Sequence, residues 1–290
     1  INRYNLLNFP RTTREAWYRS AFNSILNERL REDRINLINI HVTYWWRNGP
    51  EQVIRADILN SFFHRLNPLF FIQIIDTFEV IKQRVDRVAE HIGRALSRED
   101  ILRWQDIESY VVQTFAQINR KKFYMIAREQ PADTLYRLIF DGHLKIYISY
   151  PMTFLKEKKY RNAVNNFIKK LNRIAIVFNP GTIEDYEFSK NFNLQELSGE
   201  MTVKRDYRLI DQSDIVVAFF PKVVHSGGVN AEMNYAHSTG KPVYLVWPSK
   251  RCSPFTGYIV FKMFSNINEC LKEIKKIAEQ RKSKVLTYRR

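Results

Sequence analysis

The chain has 290 residues, 45% hydrophobic and 26% charged, and its 46 Lys and Arg against 30 Asp and Glu give a formal net charge of +16. That length and apolar content can fill two cores and exclude a disordered chain. No run approaches the roughly 18 apolar residues of a membrane helix, no signal-peptide pattern opens the chain, and Cys252 and Cys270 offer neither metal-ligand spacing nor a disulfide framework. The expectation is a cytoplasmic protein without a zinc site or membrane partner. Because residue 1 is Ile rather than Met, the natural protein is expected to extend upstream.

In chain order, apolar runs bounded by turn residues alternate with helical patterns, which predicts an α/β fold of two domains, each a mainly parallel sheet flanked by helices. Strands are predicted at 35–45, 68–76, 121–127, 144–150, 173–179, 214–220 and 242–248, most of them continuously apolar as strands buried on both faces are. Helical periodicity fills "PEQVIRADILNSFFHRL", "FEVIKQRVDRVAEHIGRAL" and "SREDILRWQDIESYVVQTFAQI", the last opening on Ser97 as N-cap with Asp100 completing a capping box. The segment "FDGHLK" ends one αβ series and begins another, so the domains are placed at 1–141 and 142–290. With 9 Gly and 10 Pro there is no long flexible linker.

In an open parallel sheet, ligands bind outside the carboxyl ends of the strands. The residues that follow "LKIYISY" and "DIVVAFF" are therefore the informative ones: Tyr150, and the loop "PKVVHSGGVNAE". Gly227 and Gly228 let backbone approach a ligand, and amides at the start of the following helix favour an anion. Glu232 is predicted in the first turn of that helix, where the dipole alone favours an acid. Asp206 and Asp214, flanking "YRLIDQS", are expected to meet the same loop. His225 and His237 read as loop or surface residues, and of Tyr147 and Tyr150 the latter is the candidate for orienting a nucleophile.

"KIYISYPM", "RDYRLIDQSDIVVAFF" and "HSGGVNAEMNYAHSTGKPVYLV" together resemble the nucleoside 2-deoxyribosyltransferase family, including its 2'-deoxynucleoside 5'-phosphate N-hydrolase branch. The resemblance covers residues 144–248 and implies a flavodoxin-like domain with Glu232 as nucleophile and Asp206 on the sugar and base. It implies substrate contacts from Tyr150, Ser226, Gly227, Gly228 and Asn230, and places Asp214 at the start of a strand. Where transferases commonly carry an acid, this chain has Ser226. A hydroxyl beside a helix N-terminus suits a phosphate that a carboxylate would repel. The implied substrate is a nucleoside 5'-monophosphate or related nucleotide, and no cofactor is required for the glycosidic step. By analogy with the transferases, homo-oligomerisation is expected.

The first 140 residues resemble the later part of a P-loop nucleotide kinase of the archaeal adenylate type. "YNLLNFPRTTREAW", "INIHVTYW" and "LNPLFFIQIIDTFEVIKQRVDRV" stand in the family's order. No Gly-x-x-x-x-Gly-Lys-[Ser/Thr] occurs, so no kinase activity is expected, and Mg and ATP enter only if a P-loop lies upstream. Arg84, Arg87 and Arg94 are candidate phosphate contacts on a helix whose solvated face explains them equally well.

Two other functions compete. "KIYISY" also resembles the opening strand of NAD-cleaving Toll/interleukin receptor domains. A non-catalytic regulator of nucleotides or nucleic acid is the third reading: the charge suits nucleic acid and the tail "KEIKKIAEQRKSKVLTYRR" concentrates part of it, although no DNA- or RNA-binding motif accompanies it.

Overall fold

The computed structural model describes residues 9–29, 34–46, 49–87, 95–140, 142–183 and 197–288. The chain divides into two compact units, Ile1–Ile126 and Ala127–Arg290.

In the first unit, α1 (Arg11–Ser24) is followed by the strands β1 (Thr43–Trp46) and β2 (Gly49–Gln52), which pair antiparallel. Then come α2 (Ala56–Leu66), β3 (Phe70–Ile75), α3 (Phe78–Asp86), α4 (Arg98–Ile118) and β4 (Lys122–Ala127), the last pairing with β3. Aromatic rings fill this core: Phe22 stacks on Phe62 with centroids 4.0 Å apart, and Phe63 meets Phe71 and Phe115 edge-on. The buried Glu108 of α4 accepts the amides of Val42 and Thr43, the latter at 2.8 Å, so its charge is satisfied by the entry to β1. The capping box at Ser97 is present as expected, with Asp100 N donating to Ser97 Oγ and Ser97 N to Asp100 Oδ2.

Several expectations for this unit change. Helix α2 begins at Ala56 rather than near Pro50, because Gly49–Gln52 pairs with β1, an outcome its Gly-Pro-polar composition does not announce. Of the strand expected at 35–45, only Thr43–Trp46 is a strand. The mainly parallel arrangement expected of both halves describes the second. Here the described residues form two separate two-stranded sheets, β1–β2 being antiparallel, and the kinase-like reading gains no support. Arg94 and residues 4–8 lie outside the described residues.

The second unit begins with α5 (Thr134–Ile139), whose Arg137 donates through Nη1 to the carbonyls of Asn172 and Ala175 at 2.7 and 3.1 Å. These bonds place α5 in the second unit, ahead of the expected 141/142 border. There follow β5 (Lys145–Ser149), α6 (Lys158–Asn172), β6 (Ile176–Phe178), α7 (Leu197–Asp211), β7 (Ile215–Phe219), α8 (Gly227–Ser238), β8 (Val243–Val246), α9 (Pro254–Ile259), β9 (Lys262–Phe264) and α10 (Ile267–Tyr288). All sheet neighbours are parallel, in the order β6-β5-β7-β8-β9. This is a doubly wound α/β sheet of flavodoxin-like order with its topological switch between β5 and β7. β5 and β7 are buried along their whole length, which explains their unbroken apolar character. Phe167 and Leu171 of α6 pack against this sheet with no exposed surface, each such side chain contributing on the order of 1.5–3 kcal/mol. Strand β9, three residues long and half polar in setting, left no legible alternation in the sequence.

Among the described residues no helix is long and apolar enough to cross a membrane.

Candidate functional site

The carboxyl edge of the second unit's sheet is formed where β5 and β7 end, at Ser149 and Phe219. The loop after β7 leads to Ser226, the N-cap of α8, whose Oγ accepts from Val229 N at 3.4 Å. Asn230 N donates to the Ser226 carbonyl at 3.0 Å, closing the first turn. Gly227 and Gly228 lie in ordinary backbone, and a Cβ built on either meets nothing within 4 Å. Their side of the turn is open to solvent, and the amide ends of α8 face it. An anion is the chemical complement of such a terminus.

Helix α8 starts at Gly227, so Glu232 lies beyond its first turn, where the dipole no longer accounts for an acid. What holds Glu232 is the sheet. The hydroxyl of Ser149, a side chain with no exposed surface at the end of β5, donates to Glu232 Oε2. The carboxylate itself is half-buried. It is thus set at the switch point, with the Ser149 hydroxyl holding one of its oxygens. Asp206, buried on α7, lies on a helix that packs against both α8 and β5, the elements carrying Glu232 and Ser149. Tyr207 of α7 stacks on Tyr235 of α8 at 3.9 Å, and Tyr235 Oη donates to Asp211, locking the two helices together. Burial, followed by the Asp211 carboxylate, pushes the Tyr235 hydroxyl up to about 12.

Tyr150 follows β5 and is buried, with its hydroxyl donating to Asn179 Oδ1 at 2.7 Å just after neighbouring β6. The same Asn179 oxygen accepts the amide of Gly181 at 3.1 Å. A Cβ at position 181 would come 2.2 Å from the Tyr150 hydroxyl, so this close approach requires glycine. Tyr147 is fully buried in the strand. On the open side, Lys222 in the loop after β7 pairs with Glu157 at 3.0 Å. Its ammonium lies 4.1 Å from the Phe154 ring centroid and 4.5 Å from that of Tyr160. It ties that loop to the segment following β5. Neither Lys222, Asn179 nor Ser149 was among the expected residues; Ser149 had a legible signal, a small polar residue directly after the bulky run Ile146, Tyr147 and Ile148.

Asp214 does not meet the loop that carries Ser226. It precedes β7 and therefore stands at the opposite, amino edge of the sheet, a strand's length from Glu232. Its Oδ2 accepts from Lys145 N at 2.8 Å and faces the Lys145 ammonium at 3.4 Å, while Oδ1 meets Arg281 at 3.0 Å. Such a carboxylate is a strap joining β5, β7 and α10. His225 is exposed, and His237 packs edge-on against Tyr258 in the last turn of α8, far along the helix from Ser226. In the first unit, Arg84 faces Asp76 at 3.8 Å. Among the described residues no group of three or more His, Cys, Asp or Glu could hold a metal ion.

No protein-family model matches the chain, and no curated protein matches it. Solved structures do. A 2-deoxyribosyltransferase from Bacillus psychrosaccharolyticus is 20% identical over 44% of this chain and 90% of its own, with a TM-score of 0.34. A conserved protein from Enterococcus faecalis V583 is 18% identical over 46% of this chain and 98% of its own, with a TM-score of 0.36. The CMP N-glycosidase BcmB of Clostridium botulinum is 18% identical over 45% of this chain and 97% of its own, with a TM-score of 0.29.

Proposed function

We propose that the second unit cleaves or transfers the N-glycosidic bond of a nucleoside 5'-monophosphate or related nucleotide, with Glu232 as the nucleophile. The observation that carries this reading is the Glu232 carboxylate at the carboxyl edge, beyond the reach of the helix dipole and bonded by the buried Ser149 hydroxyl. In the first step a Glu232 oxygen bonds to C1' as the C1'–N bond breaks through an oxocarbenium-like transition state, and the electron pair leaves with the base, which takes a proton from solvent. In the second, water or an acceptor base attacks C1', the ester C1'–O bond breaks, and its pair returns to the carboxylate. Asp206 is assigned to the sugar and base, and Tyr150 to the wall of the same edge. Ser226 and Asn230, with the amides of Gly227 and Gly228, receive the phosphate. No cofactor takes part in these steps.

The test is incubation of the protein with a panel of ribo- and deoxynucleoside monophosphates, the matching nucleosides and NAD, followed by chromatography of the released bases. Free base from a monophosphate, abolished by Glu232→Gln, is the expected result. Nicotinamide release from NAD with no base from any monophosphate overturns the substrate assignment, and parent-rate release by Glu232→Gln overturns the nucleophile.

A further inference from the structure

Every residue of β5 is buried, and its Ile146 and Ile148 belong to the apolar core, yet the strand closes on a serine. At a position with no exposed surface, alanine or valine would pack without a polar group to satisfy. The hydroxyl that stands there instead is directed across to α8 and donates to Glu232 Oε2.

We infer that Ser149 is the positioning residue for the nucleophile: it anchors one oxygen of Glu232 to the rigid end of β5 and so holds the carboxylate in a single orientation toward the carboxyl edge. This rests on the N-glycosidic reading of Glu232. A glutamate side chain turns about several torsions, and a nucleophile free to do so spends most of its time out of line with C1'. A lysine or arginine could restrain it too, at the cost of neutralising the charge that attacks. Serine restrains it without bringing a charge of its own. The hydroxyl keeps its proton through both steps. Its bond to Glu232 is stronger when the carboxylate is charged than when it is a neutral ester, so the same contact favours the carboxylate as leaving group when water attacks C1' and the ester bond breaks. The anchoring strand is interior in the sheet, paired with β6 on one side and β7 on the other, which makes it a rigid support.

Ser149→Ala and the near-isosteric Ser149→Cys, which keeps only a weak donor, test the assignment in the full chain. Ser149→Ala is expected to lower kcat ten- to a hundredfold with KM within twofold of the parent, and Ser149→Cys to fall between them. In a crystal structure of Ser149→Ala the Glu232 carboxylate is expected to leave the end of β5. The assignment is overturned by an unchanged kcat, by a loss that appears in KM alone, or by a carboxylate that stays in place without the hydroxyl. Should the parent protein release no base from any nucleotide, the N-glycosidic reading fails by itself, and the crystal structures decide the anchoring: a displaced carboxylate keeps Ser149 as its anchor and an undisturbed one removes it. Should the alanine variant not fold, the cysteine variant carries both measurements.

Discussion

The two edges of one sheet hold two carboxylates in opposite circumstances. At the amino edge, Asp214 is met by a backbone amide, the buried ammonium of Lys145 and the guanidinium of Arg281. At the carboxyl edge, Glu232 is met by the hydroxyl of Ser149. Both acids belong to the segments that carry the family resemblance, and nothing in their residue type distinguishes them. The difference teaches that two acids of one fold are told apart by their partners more than by their company in sequence: cations and an amide stabilise the charge of Asp214 where it is, whereas the Ser149 hydroxyl orients the carboxylate of Glu232.

The comparison is broken most directly by Glu232→Gln. Base release from monophosphates should fall by about a thousandfold or more while nucleotide affinity and thermal stability stay near the parent values, as steady-state kinetics and calorimetry will read. Asp214→Ala should behave in the reverse way. It leaves Lys145, whose side chain is 8% exposed, without its carboxylate, and should cost about 3 kcal/mol in denaturant unfolding while the folded fraction keeps its kcat. An Asp214→Ala chain of parent stability but lost turnover would invert the two edges.

Gly181→Ala sharpens the comparison within the carboxyl edge. The added methyl would press the Tyr150 hydroxyl away from Asn179, and an unfolding cost of about 1–3 kcal/mol is expected, with Tyr150 displaced in a crystal structure. Ser226→Asp keeps a good N-cap for α8, so stability should hold, but it sets a negative charge at the open terminus. KM for monophosphates should rise roughly tenfold, about 1.4 kcal/mol, and that for nucleosides should stay within twofold. Equal effects on both substrates would remove the phosphate from this terminus.

The smallest effect lies away from either edge. Burial, and then the charge of Glu273, pushes the thiol of Cys270 from its ordinary 9.0 up to about 12. The folded value exceeds the unfolded one, so its contribution to stability is complete below pH 9.0 and is lost as pH rises toward about 12. Denaturant unfolding should show a decline over that alkaline window that Cys270→Ala lacks, and a thiol reagent near pH 8 should label Cys252 in the native chain and both cysteines after unfolding.

Much of the second unit was legible because its strands are buried on both faces. β5, β6, β7 and β8 each read as an apolar run, and each falls inside its expected range. The capping box at Ser97 was legible because it is local, its two hydrogen bonds lying within four residues. The strands that escaped, β2 and β9, have no pattern of their own and exist because a neighbour pairs with them. Glu232 was found through its motif, yet its placement in a first turn was an error of local reading. The small residues that seemed to be a loop, Gly227 and Gly228, are already helix, capped by Ser226.

By itself the sequence determined the α/β class, the alternation that orders the second unit's sheet, and Glu232 as the acid to watch, since periodicity and composition act over a few residues. Only the tertiary structure decided which end of the sheet each acid occupies. Asp206 and Asp214 are near neighbours along the chain, but α7 ends between them and β7 begins. One acid is thereby buried on a helix packed against α8 and the other sent to the far edge beside Lys145 and Arg281. Ser149 and Glu232 are 83 positions apart, and no local rule joins them. They meet because β5 and β7 pair in parallel register and α8 packs back on β7, so that the end of one strand and the face of one helix fall at the same switch point.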